Sequence, residues 1–99
     1  MSYYLFKLTP PRPTFPQDMT PAERNVMQAH GVYWSALAEK GVAIVVGPVA
    51  DPACAWGVAV VEVADEPAAR ALADSDPVST SGLKFQYDIF SMPRAVLRK

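Results

Sequence analysis

The apolar residues of the chain fall into two rhythms. Residues 2–9, SYYLFKLT, are rich in aromatic side chains and predict a strand. Residues 42–49, VAIVVGPV, are almost continuously apolar, which predicts a strand buried on both faces. Residues 57–64, GVAVVEVA, predict a third strand. Residues 83–90, LKFQYDIF, alternate, with Leu83, Phe85, Tyr87 and Ile89 on one face, and predict a fourth.

Between the first and second strands the rhythm becomes helical. Thr20-Pro21-Ala22-Glu23 is a helix start: threonine caps, proline fills the first helical position, and glutamate reaches back to the cap. The helix should run to about Lys40, with Gly41 as its left-handed stop. Val26, His30, Tyr33 and Leu37 form its apolar stripe, flanked by Met27 and Trp34, while Arg24, Gln28, Ser35 and Glu39 lie opposite. A second, shorter helix, EPAARALADS, is capped by Asp65 and ended by Pro77, after which Asp76-Pro77 opens a short turn closing at Gly82. Residues 10–16 hold four prolines and predict a stiff, extended loop carrying Arg12 and Phe15. The tail after residue 90 reads as irregular or as an edge segment.

Residues 49–56 are too few for a crossover helix, so the second and third strands should form an antiparallel hairpin. The order is then β-α-β-β-α-β. With right-handed crossovers it predicts an α+β fold, the ferredoxin-like plait: a four-stranded antiparallel sheet with two helices on one face. The other face also carries apolar residues, which predicts a second subunit packed against it.

Composition sharpens this picture. The 99 residues suit a single domain spanning 1–99, and 51% are apolar against 19% charged, which favours a dimer or a ligand cavity. A formal net charge of −1 without a basic run argues against a nucleic-acid partner. No stretch approaches the roughly 20 apolar residues of a membrane span, and no signal peptide is visible. One cysteine, Cys54, cannot form an internal disulfide, and the expected compartment is the cytoplasm.

Candidate chemistry begins with His30, the only histidine, near the middle of an apolar helix face. One reading is a core histidine bonded to a backbone carbonyl. The other is a general acid or base, which needs a second residue to orient the ring. Asp76 can be that residue: Ala69, Leu72 and Ala73 form the inward stripe of the second helix, and the same spacing lands on Asp76. Asp76 reads equally well as a helix cap in an Asp-Pro turn. Arg12 could hold an anion, Phe15 shares its loop, and Trp34 lies beside His30; these three are the expected substrate contacts. One histidine and one cysteine make a poor metal site, no glycine-rich phosphate loop is present, and the expected proton chemistry needs no cofactor.

The ordered set of His30, Gly41, Gly47-Pro48, Gly57, Asp76-Pro77, Gly82 and Met92-Pro93 resembles the YCII domain family over nearly the whole chain. The insert PPRPTFPQDMTPAER resembles its longer-loop branch. The resemblance implies a dimeric α+β barrel in which the sheets of two plaits face each other. It also implies that His30 and Asp76 are the family's active-site pair, and that a few relatives act as lyases or isomerases on aromatic-degradation intermediates. The expectation is therefore a cytoplasmic homodimer in which His30 and Asp76 transfer a proton on a small, aromatic-derived carbonyl or phenolic metabolite. The alternative is a non-catalytic, small-ligand-binding or structural module. A catalytic pair should open onto a cavity; a structural pair should be packed in.

Overall fold

A computed structural model describes residues 1–99. Its elements are β1 (Ser2–Thr9), α1 (Pro21–Glu39), β2 (Ala43–Val49), β3 (Trp56–Val63), α2 (Glu66–Ser75), α3 (Pro77–Thr80) and β4 (Gln86–Met92). The strands form one antiparallel sheet in the order β2-β3-β1-β4. This is the ferredoxin-like plait, with the expected Asp76-Pro77 turn folded into a third short helix.

Local chemistry accounts for each boundary of α1. The Thr20 side chain accepts from the Glu23 amide at 3.1 Å, and Glu23 Oε1 accepts from the Thr20 amide at 2.9 Å, so two otherwise orphaned donors are satisfied reciprocally. At the other end Gly41 adopts φ +79°, its amide bonds Ala38 and the Val42 amide bonds Leu37. Both loose carbonyls are thereby taken, and a side chain at position 41 would be strained in this left-handed backbone.

Register decides which residues reach the helices. Tyr4, Phe6 and Leu8 of β1 sit opposite Val61, Ala59 and Gly57 of β3 and opposite Ser91, Ile89 and Tyr87 of β4. Phe6, Ala59 and Val61 are buried against Trp34 of α1 and against Ala69 and Ala73 of α2. Phe6 meets Trp34 and Tyr87 edge to face, at centroid distances of 5.7 and 5.8 Å. Trp34, expected at the flank of the apolar stripe, is its most buried member at 2% exposure. The opposite face of the sheet carries a row across all four strands, Val45, Val60, Leu5 and Phe90, of which Val45 and Phe90 are more than half exposed.

Three expectations are corrected. Strand β2 is an edge, not a strand buried on both faces: only β3 pairs with it, and Ile44 and Val45 are exposed. Its continuous apolar run reflects an uncovered face rather than a second layer. Strand β4 begins at Gln86, because the chain reverses through left-handed backbone at Gly82 (φ +76°) and Lys84 (φ +67°). The proline-rich loop is folded into successive turns rather than extended. Amides of Phe15, Gln17 and Met19 bond carbonyls of Arg12, Thr14 and Pro16.

Candidate functional site

The junction of α2 and α3 fixes the central carboxylate. Pro77 forces the preceding residue out of helical geometry, and Asp76 is extended there at φ −65°, ψ 136°. Its amide still bonds Ala73, ending α2, while Oδ1 accepts from the Val78 amide at 3.1 Å, starting α3. The cap and the partner of His30 are therefore one residue, each oxygen serving one role. Asp76 is fully buried, and Oδ2 accepts three hydrogen bonds: from His30 Nδ1 at 2.8 Å, from Trp34 Nε1 at 2.7 Å and from the Tyr87 hydroxyl at 2.5 Å.

Four donors decide the protonation of this carboxyl. Burial pushes its pKa up, but the bonds from His30, Tyr87, the Val78 amide and Trp34 together outweigh burial and hold it below the ordinary aspartate value. An ionised carboxylate accepts only, so in the neutral ring the proton of His30 sits on Nδ1. Nε2 makes no hydrogen bond within the chain, and no buried side-chain nitrogen or oxygen lacks a partner, so Nε2 is reachable from outside. The negative charge has a second consequence. Tyr87 is pushed well above the ordinary phenol range by burial and by its bond to Asp76, and Tyr33 is raised by burial and by the same charge. Both phenols are neutral at physiological pH. The Tyr33 hydroxyl is anchored on the Leu72 carbonyl at 2.7 Å, which ties α1 to α2 beside the pair.

His30 faces a cavity of about 650 Å³ between α1, the β2 side of the sheet and the proline-rich loop. The cavity falls within the size range of small-molecule sites. Trp34 and Tyr87 also line it, as do Met27 and Gly31 of α1. Phe15 and Phe85 form one end, edge to face with centroids 5.6 Å apart.

The expected site residues thus divide. His30 and Asp76 meet, and Trp34 joins them directly. Phe15, buried in the folded loop, shares the cavity with His30. Arg12 is outside the lining and its donors are committed. Nη1 and Nη2 bond the two oxygens of Glu23 at 2.7 and 2.8 Å, and Nε bonds Asp18 at 3.0 Å. Charge-assisted, two-pronged geometry of this kind holds a loop rather than a transient anion. The arginine bond, reinforced by the Thr20 amide, lowers Glu23 to about 2. Tyr87 was not among the expected site residues. Its signal lay in the alternation of residues 83–90, which turns Tyr87 to the helix side, but nothing in that pattern says that its hydroxyl reaches Asp76.

No curated protein matches the chain. The family model of the YCII-related domain matches residues 4–93, nearly the full length, and includes every residue of the His30, Trp34, Asp76 and Tyr87 cluster. With the plait already described, that match places the chain in the YCII-related domain family.

Proposed function

We propose that the protein is a small proton-transfer enzyme, of lyase or isomerase type, acting on a carbonyl or phenolic metabolite. The observation that carries this reading is the asymmetry of the pair: Asp76 is sealed, while His30 lines the cavity and its Nε2 is left without a partner in the chain. Asp76 orients the ring and stabilises the imidazolium that forms when Nε2 takes a proton. Nε2 can then return that proton to a different atom of the same substrate, which is isomerisation, or assist a leaving group. Phe15 and Trp34 supply apolar walls on the substrate side.

A second reading has its own support. Four donors on Asp76 are more than a catalytic orienter requires, and they tie α1, α2, α3 and β4 together. On that reading the pair is structural and the cavity binds a ligand without chemistry.

The test is solvent exchange. A panel of small cyclic ketones and enols is incubated with protein in D2O, and deuterium uptake at carbon is followed by NMR. Uptake above background that disappears in a folded His30→Ala variant supports the enzyme. Uptake that persists in His30→Ala, or none across the panel, contradicts it.

The proposal extends to assembly and place. The apolar row Val45, Val60, Leu5 and Phe90 supports a homodimer formed by two sheets face to face. The one free thiol, Cys54, suits the reducing cytoplasm. No helix is long and apolar enough to cross a membrane.

A further inference from the structure

We infer that the His30 cavity takes an uncharged ring compound bearing a weakly acidic hydroxyl, and that it rejects carboxylates and phosphates. This deepens the proton-transfer reading and rests on it for the role of Nε2. What carries it is the distribution of charge. No Lys, Arg, Asp or Glu lines the cavity, and His30 is its only basic side chain. Asp76 lies directly behind that ring, buried and ionised. With a neutral imidazole the pair carries one negative charge; with a protonated one it carries none. It is never positive. Tyr33 and Tyr87, the other titratable groups around the carboxylate, are neutral phenols and add no cation. Arg12, the cation of the neighbouring loop, is turned to Glu23 and Asp18.

A permanent anion would therefore enter an apolar chamber facing a buried carboxylate, with no positive side chain in its lining to offset its lost hydration; Lys7, 5.1 Å from the Trp56 ring, alternates to the sheet face away from the helices and His30. A neutral hydroxyl meets the opposite situation. It enters without a charge to desolvate and donates to Nε2. If the proton passes, the O–H bond breaks, the N–H bond forms and the electron pair stays on oxygen. The new oxyanion then lies against an imidazolium whose far side is already held by Asp76. Charge is created as a pair inside the site rather than imported. The walls favour a flat apolar body: the edge-to-face pair of Phe15 and Phe85 at one end, and the thioethers of Met19 and Met27 along the side.

The test uses 2-naphthol, its methyl ether 2-methoxynaphthalene, and 2-naphthoate at pH 7.5, where the naphthol is neutral and the naphthoate is an anion. Calorimetric titration into the whole protein reads affinity, and the His30 ring resonances read location. Naphthol should bind about tenfold or more tighter than either analogue, and should move the His30 resonances. Naphthoate binding as tightly as naphthol would overturn the inference, as would a failure of naphthol to bind at millimolar concentration. The His30→Ala variant separates this inference from the reading beneath it. Exclusion of naphthoate there, with the naphthol-over-ether preference lost, supports both. Exclusion of naphthoate with that preference intact supports charge selection and overturns the role of Nε2.

Discussion

At the scale of single residues, the site depends on one carboxylate oxygen with three donors. Asp76→Asn keeps the shape but replaces an ionised acceptor with a neutral amide, weakening the bonds that His30, Trp34 and Tyr87 now make. Because those donors are buried, the substitution should cost about 3 kcal/mol, the upper end for hydrogen bonds to a charged group, read by urea denaturation. Tyr87→Phe removes one donor and leaves two on Oδ2, so its cost should be smaller, about 1 to 2 kcal/mol. Equal losses from the two variants would contradict this ranking. Both His30 and Asp76 were legible as candidates from helical spacing. The meeting of Trp34 and Tyr87 on the same oxygen was not, because it depends on how α1, α3 and β4 converge in space.

At the scale of elements, the decisive device is the clasp between the proline-rich loop and the start of α1. Glu23 serves two elements at once, closing the capping box with Thr20 and receiving Arg12. Its sequence signal was half legible: the Thr20–Glu23 spacing gave the cap, but nothing local paired Glu23 with an arginine eleven residues earlier. Arg12→Ala should loosen residues 10–19 and the wall carrying Phe15 while leaving α1 in place. Hydrogen exchange should quicken at the amides of Phe15, Gln17 and Met19, with the α1 interior unchanged; unaltered loop protection would refute the clasp. The same carboxylate sets an acid limit. Glu23 is held at about 2 against an ordinary value near 4.5, so its folded-state pKa is depressed. Its contribution is complete above its ordinary value and is lost as pH falls from there toward 2. Asp76 is depressed as well and acts with the same sign. Thermal midpoints should therefore fall between pH 4.5 and 2, and Glu23→Gln should flatten that decline.

At the scale of the whole molecule, the sheet has one face covered by helices and one left uncovered, crossed by a single apolar row. The topology followed from element order and crossover handedness, and the plait was legible for that reason. Strand β2 was misjudged because a continuous apolar run looks the same whether both faces are covered by the chain itself or one awaits another surface. If two sheets meet face to face, they should bury more than the roughly 1,200 Å² of stable complexes. Sedimentation should give a dimer at micromolar concentration. Phe90→Glu, which adds charge to the exposed row without touching the helix side, should give a folded monomer. A wild-type monomer under those conditions would rule out the sheet-face dimer.

The claim that joins these scales is that the fold delivers His30 to the cavity with its proton on Nδ1 and its bare Nε2 facing a ligand. The most direct measurement is a long-range ¹H–¹⁵N correlation spectrum of the single histidine, recorded at a pH where the ring is neutral. The account predicts a protonated Nδ1 and an unprotonated Nε2. A ring carrying its proton on Nε2 would leave Asp76 facing a bare nitrogen, and would contradict the proposed role of the pair.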